Sequence, residues 1–325
     1  MNHPIESIDY YFFKRDNCPL CDAPTCNSQI RFNVLQLHWK VDILQCNKCS
    51  LLYKEYAPND RLLLRIYTSE YGHFKQSVNG ENLSSRIERL GLPHGSLLDY
   101  GCGMGEFVLQ ATKAGWDGHG CDPFLPNISH CGNNAHLFHK LDAADVAIKS
   151  LGKFDCITMW AVAEHLNYTP AVFSNLASIL HKNGRLIFNS PYGDSLISKS
   201  NGDLWGMATL VEHIQFHTAQ SVHYLAKKCG LKVEKIRYCG TPYPFGKTNL
   251  LDQGIPNFLF EKDKLIDVCE GKNIESNKAY PLTSTLKFIH YQLTGNISNR
   301  ILSNVVREII NFMRSGDHIE VTLIK

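Results

Sequence analysis

The stretch Leu97-Leu98-Asp99-Tyr100-Gly101-Cys102-Gly103-Met104-Gly105, running on into Glu106-Phe107-Val108, decides the fold of this chain. Ser96 to Tyr100 reads as a strand, and Glu106 to Ala114 as a helix with Phe107, Val108, Ala111 and Ala114 on one face. Between them stands Gly-x-Gly-x-Gly. A strand that enters a helix through such a loop turns backbone N–H groups and the positive helix end toward a ligand, because glycine lets the backbone approach closely. That much implies a nucleotide-like cofactor. The nicotinamide fingerprint needs a third glycine where this chain has Glu106, and an acid, Asp99, stands two residues before the first glycine. Both departures point away from a dinucleotide. An exposed acid beside the loop suits a cofactor with an ammonium group and no pyrophosphate, and Asp122, at the end of the next strand, suits both hydroxyls of a ribose.

Outward from the loop, strands and helices alternate, the pattern of a parallel sheet with crossover helices. Gly118 to Asp122 is a second strand, the region around Ala135 to Leu141 a third, and Phe154 to Val162 a buried central one. Thr169-Pro170 opens a helix as an N-cap followed by proline, and Gly184 is expected to close it. Arg185 to Ser190 is a fifth strand. Ala219 to Cys229 is a helix capped by Thr218 and stopped by Gly230; Leu231 to Tyr238 and Asp317 to Lys325 follow as strands. The expected fold is a Rossmann-like α/β domain over 93–325, with a helical insertion at about 240–315, reached through a linker and entrance helices at 58–92.

Residues 1–57 read as a separate module. Cys18-Pro19-Leu20-Cys21 and Cys46-Asn47-Lys48-Cys49 give four thiolates from two tight knuckles, and Arg31 to Leu37 reads as a short strand between them. This is the donor set of a tetrahedral zinc ribbon, whose closed four-sulfur shell assigns the metal a structural role. Zinc supplies stability that so short a segment hardly obtains from a core. Cys26 is a bystander. Cys102, Cys121, Cys156 and Cys229 lie in apolar patterns, where thiols act as small hydrophobes.

A net charge of +2 gives no global reason to expect nucleic acid or an acidic membrane as partner. Residues 1–15 lack the long apolar core of a signal peptide, and the longest apolar run, Ile157 to Ala163, is too short to span a bilayer. The expectation is a cytoplasmic protein without membrane insertion, and a reducing compartment suits its thiols.

Four blocks, in order and spacing, resemble the class I S-adenosylmethionine-dependent methyltransferases, and within them the ubiquinone-biosynthesis-like branch. They are Leu97 to Phe107, Gly120-Cys121-Asp122-Pro123, Phe154-Asp155 through Ala163-Glu164-His165-Leu166, and Leu180 to Tyr192 followed by Glu212-His213-Ile214-Gln215-Phe216-His217-Thr218. The resemblance covers roughly Leu97 to Tyr238 and implies a seven-stranded, mostly parallel sheet with helices on both faces. It also implies that Gly101, Cys102, Gly103 and Gly105 line the methionine part of S-adenosylmethionine, that Asp122 takes the ribose, and that Asp142 neighbours the adenine. Methyl transfer from a sulfonium is a direct displacement, so alignment in a dry site is the main requirement. If the acceptor is a hydroxyl, His165 and His213 are the candidate bases, against the plainer reading that they fix their own loops. Tyr192 and Trp160 are candidate pocket walls, with ordinary packing as the alternative.

The ribbon, followed by Leu51-Leu52-Tyr53 and Ile66-Tyr67-Thr68-Ser69-Glu70-Tyr71, resembles zinc-ribbon-bearing methyltransferases of sugar and cell-envelope modification. That implies a small-molecule or glycan acceptor. Two other functions compete. One is an RNA methyltransferase in which Arg31, Lys40, Lys48 and Lys54 grip phosphates, a reading the near-neutral charge disfavours. The other is a binding protein that has kept the fold and lost the chemistry, against which the intact Gly101, Gly103, Gly105 and Asp122 argue.

Overall fold

A computed structural model describes residues 11–36, 39–68, 83–125, 128–200, 202, 205–239 and 316–325. The expected insertion at about 240–315 lies outside the described residues, as do Leu37 and the segment Ser69 to Tyr71.

The N-terminal segment is richer in strands than its sequence suggests. It holds β1 (Phe12–Lys14), β2 (Ser28–Gln36), β3 (Trp39–Cys46), β4 (Leu52–Lys54) and β5 (Tyr56–Pro58). β1 pairs with β5, and β2, β3 and β4 form an antiparallel meander. The two Cys-x2-Cys knuckles repeat one backbone pattern. Cys18 N–H donates to Ala23 and Asp22 N–H to Cys18 O; likewise Cys46 N–H donates to Leu51 and Ser50 N–H to Cys46 O. Asp22 and Ser50, one residue past each second cysteine, both take a left-handed φ of 60°. This turn swings both sulfurs of each pair to one side.

α1 (Asp60–Thr68) and α2 (Leu83–Arg89) lead into the large sheet. Its first part runs β6 (Ser96–Tyr100), α3 (Glu106–Lys113), β7 (Asp117–Cys121), β8 (Phe138–His139), β9 (Phe154–Met159), α4 (Thr169–Ser178) and β10 (Leu180–Pro191). Two short helices, α5 (Leu196–Ser200) and α6 (Gly206–Thr209), precede β11 (Gln215–Phe216), α7 (Ala219–Lys228), β12 (Lys232–Cys239) and β13 (His318–Ile324). The sheet has seven strands in the order β12-β13-β10-β9-β6-β7-β8. Neighbours from β10 to β8 are parallel, and only β13 runs against the rest. This is the expected Rossmann-like α/β sheet.

Alternation along the strands clothes both faces. Leu98, Tyr100, Ile157, Met159, Leu186 and Phe188 pack under α4 and α7 through Val172, Phe173, Leu176, Val222 and Leu225. Leu97, Cys156 and Ile187 face the other way, against Ile87 of α2 and Phe107 and Ala111 of α3. α7 starts on a reciprocal capping box: Thr218 Oγ1 accepts the Ser221 amide at 3.0 Å and Ser221 Oγ accepts the Thr218 amide at 2.8 Å, a motif worth about 1 kcal/mol or more to a helix start.

Two expected boundaries are corrected. Tyr168, rather than Thr169, occupies the N-cap of α4, while Thr169 is the first helical residue and turns its hydroxyl back to Leu166 O. Gly184 does not close that helix, which ends at Ser178; it lies inside β10, at a register shift between Leu180 and Arg185. A side chain there would lie 2.9 Å from His181 O of its own strand and 3.2 Å from Phe154 O and Asp155 O of the neighbouring segment, so backbone on both sides requires glycine.

β11 belongs to neither half alone. Gln215 pairs with Tyr53 and Phe216 with Leu52, which makes β11 the fourth strand of the ribbon's sheet. Trp205 and Ala208 then pack on that sheet with Val34, Val41, Ile43 and Leu52.

Candidate functional site

In a sheet of this kind ligands bind beyond the carboxyl ends of the strands, where the strand order reverses. Here the reversal falls between β6 and β9, since the chain builds outward from β6 to β7 and β8 and then returns to add β9 and β10. The glycine loop emerges at that point. Gly101, Gly103 and Gly105 all have positive φ, at 77°, 51° and 79°. A Cβ on Gly105 would lie 2.4 Å from Phe138 Cε1, whereas one on Gly103 would meet nothing within 4 Å. Gly105 is therefore required by packing, and Gly103 faces open space above the loop.

Asp122, just beyond β7, is tied into this loop. Its Oδ2 accepts the Gly103 amide at 3.1 Å and its Oδ1 the Phe124 amide at 2.8 Å, and burial pushes its carboxyl above the usual range. Asp142 Oδ1 accepts the Tyr100 hydroxyl at 3.1 Å and the Ala144 amide at 2.8 Å, which fixes it beside the end of β6. Cys102 packs its thiol with Val108, Cys131 and Phe138, so only its backbone belongs to the loop's outer surface.

The expectation of an exposed Asp99 is corrected. Its residue is 3% exposed, because both faces of β6 are covered and position 99 lies opposite Thr158, whose Oγ1 donates to Asp99 Oδ1 at 2.6 Å. Burial pushes its carboxyl up to about 7, against the opposing pull of the Thr158 hydrogen bond and of Arg86.

A second cluster lies past β9. Glu164 and His165 sit on a single 3-10 turn, Ala163–His165, and His213 comes from the segment before β11. Each imidazole donates its Nδ1–H to a backbone carbonyl, His165 to Glu212 O and His213 to Met207 O, both at 3.0 Å. In the neutral ring this leaves the lone pair on Nε2. The rings meet edge to face with centroids 4.8 Å apart. Burial, followed by His165 and Lys54 nearby, lowers His213 well below the ordinary histidine value, so it is neutral at pH 7; burial raises Glu164.

Tyr67 of α1 joins the two halves. Its ring stacks on Phe124 at 5.0 Å and meets His165 edge-on at 6.1 Å. Sequence reading attached no role to Tyr67, nor any signal beyond an aromatic run. Lys54 is the other surprise: proposed as a phosphate grip, it is fully buried, donates from Nζ to Leu210 O, and is brought down to about 7 by desolvation. β4 carries it inward, so it cannot serve RNA from there. Arg31, Lys40 and Lys48 are exposed. Trp160 lies under Arg86 and against Phe107, and Tyr192 packs on Tyr238, so both are held in the layers of the fold.

The four ribbon thiols converge. Cys18 Sγ lies 3.6 Å from Cys49 Sγ and Cys21 Sγ 3.4 Å from Cys46 Sγ, with all four sulfurs within 4.8 Å of one another. The donor set and its closure fit a tetrahedral zinc ion. No helix among the described residues is long and apolar enough to cross a membrane.

Comparison with known proteins gives one family. The chain matches the methyltransferase domain over residues 71–236, just over half of its length. No curated protein matches it. Among solved structures it is similar to a SAM-dependent methyltransferase from Archaeoglobus fulgidus, at 14% identity and a TM-score of 0.45 over 79% of this chain and 100% of that one. A magnesium protoporphyrin IX methyltransferase from Synechocystis with bound SAH gives 20% identity and 0.39 over 49% and 76%. An O-methyltransferase family protein from Burkholderia thailandensis gives 12% and 0.40 over 48% of this chain, which spans about half (52%) of that protein's length.

Proposed function

This chain belongs to the methyltransferase domain family, and from that premise we propose that it transfers a methyl group from S-adenosylmethionine to a small-molecule or glycan acceptor. The observation that carries the reading is the joint between loop and acid. The Gly103 amide holds one oxygen of Asp122 beside open space, so the acid and the outer surface of the glycine loop stand together at the end of the sheet. In this reading Gly101, Cys102, Gly103 and Gly105 offer backbone to the methionine part, Asp122 takes the ribose hydroxyls and Asp142 flanks the adenine. Asp99, buried and hydrogen-bonded by Thr158, underlies the loop from within the sheet. The placement in the ubiquinone-biosynthesis-like branch belongs to the same proposal.

S-adenosylmethionine supplies a methyl group on a positively charged sulfur, which needs alignment more than activation. The chain's own task is then to hold the acceptor and its proton. Each ring is fixed by its Nδ1 hydrogen bond, His213 is neutral with its lone pair on Nε2, and a hydroxyl acceptor would donate its proton to His213 or His165. Tyr67 closes the wall between this pair and Phe124, next to the cofactor acid. Cys18, Cys21, Cys46 and Cys49 would hold a structural zinc whose module supplies β4 to the segment carrying His213. The test is incubation with cofactor labelled in the methyl group and fractionated cell extract. Label in low-molecular-weight or glycan fractions supports the reading, and label confined to RNA overturns its acceptor class. Absence of S-adenosylhomocysteine binding at millimolar ligand overturns the cofactor assignment.

A further inference from the structure

The cluster past β9 has the composition of a metal site as well as that of a base. Glu164, His165 and His213 each offer one ligand atom, and these three atoms lie within 4.8 Å of one another. Ligand atoms bound tetrahedrally at about 2.1 Å from one ion sit about 3.4 Å apart, so side-chain rotation of about 1 Å closes the set. The orienting contacts are already in place. Both Nδ1–H groups are committed to backbone carbonyls, Glu212 O and Met207 O, which is the arrangement that fixes the tautomer of a metal-ligating imidazole and aims its Nε2.

An independent observation points the same way. Glu164 is 2% exposed, its Oε1 lies 4.0 Å from His165 Nε2, and its Oε2 is buried with no hydrogen-bond partner. A buried carboxylate oxygen without a donor is costly unless something positive meets it.

We propose that Glu164, His165 and His213 form a second metal site, taking a divalent ion of the Zn2+ or Co2+ class through one carboxylate oxygen and two imidazole Nε2 atoms. Two nitrogens and one oxygen suit such ions better than Mg2+ or Ca2+, which favour all-oxygen shells. Three protein ligands leave a position open, in contrast to the closed four-sulfur ribbon. An acceptor oxygen is the ligand that position would take. The same lone pairs serve a proton in the metal-free chain and a cation in the loaded one, so the two uses exclude each other.

The test is a metal count on the untagged full chain, equilibrated with Co2+ or Zn2+ alone, freed of loose ions by gel filtration and measured by elemental analysis. Wild type is expected to hold about two ions per chain, one for each cluster. The cobalt spectrum should combine sulfur-to-metal charge-transfer bands with weaker bands from a nitrogen and oxygen site. Glu164→Gln and His213→Ala should each drop the count to about one while the sulfur bands persist, which also reports that the ribbon is folded. A wild-type chain that saturates at one ion with only sulfur bands overturns the proposal, as does a second ion retained by both variants. S-adenosylhomocysteine binding, measured separately, keeps failure of this inference distinct from failure of the methyl-transfer reading.

Discussion

The Gly103 amide donates to Asp122 Oδ2 over 3.1 Å, which makes the acid beyond β7 a structural member of the loop beyond β6. Removing the carboxylate should loosen the loop and the cofactor together. Hydrogen bonds to charged groups contribute about 1.5–3 kcal/mol, so Asp122→Ala is expected to weaken S-adenosylhomocysteine binding at least tenfold and to lower the melting temperature by a few degrees. Calorimetric titration and a thermal scan check both halves.

The glycines of the loop should separate in their effects. Gly105→Ala drives a methyl group to within 2.4 Å of the Phe138 ring at a left-handed φ, so it should destabilise the fold even without ligand. Gly103→Ala enters open space, and only the φ of 51° resists it. Thermal stability near wild type with clearly weakened cofactor binding is expected for Gly103→Ala, and loss of both for Gly105→Ala.

Asp99 predicts a pH dependence of stability. Its folded value of about 7 lies above the unfolded value of about 3.9. Its contribution is fully present below about pH 4 and is lost as pH rises toward 7, at up to about 1.4 kcal/mol per pH unit, because only the unfolded chain ionises freely in that window. Asp99→Asn lacks this loss. Urea unfolding at several pH values should show the variant gaining on wild type from pH 4 to 7 and the difference levelling off above; a constant difference would contradict the buried placement.

The ribbon and the His213 segment should respond together. Ser50, next to Cys49, accepts the Thr218 hydroxyl on its carbonyl and donates its own hydroxyl to Gln220, while Lys228 reaches Leu20 O. Cys49→Ser is expected to abolish zinc retention in the ribbon and to raise amide exchange across residues 210–218. Cofactor binding at the distant glycine loop should change by less than about threefold.

His213→Ala should reduce turnover with a hydroxyl acceptor by about a hundredfold or more if the ring accepts a proton, the low end of general-base effects. S-adenosylhomocysteine affinity should stay unchanged. Near-normal turnover would assign His213 the plainer task of pinning its loop through Met207 O.

The local pattern around the glycine loop was legible because strand, loop and helix follow one another in sequence: β6 falls at Ser96–Tyr100 as read, and α3 differs only at its last residue. The Cys-x2-Cys knuckles were legible for the same reason. The exposure of Asp99 was not, since it depends on which strand lies opposite, and Thr158 is far off in sequence. Nor was the burial of Lys54: a lysine in a short polar module reads as surface until β11 arrives to cover it. Tyr67 carries no periodic signal of a site, because its partners Phe124 and His165 come from two other parts of the chain.

The pairing of β11 with β4 also sets a timetable for synthesis. Gln215 and Phe216 leave the ribosome long after Tyr53 and Leu52, a delay of roughly ten to thirty seconds at about 5–20 residues per second. Until then the nascent module presents β4 as an open strand edge, a template for pairing with other chains. The four ribbon cysteines, all within the first 49 residues, are available to metal throughout that interval. Zinc capture during translation would hold the early strands in register until their last partner emerges.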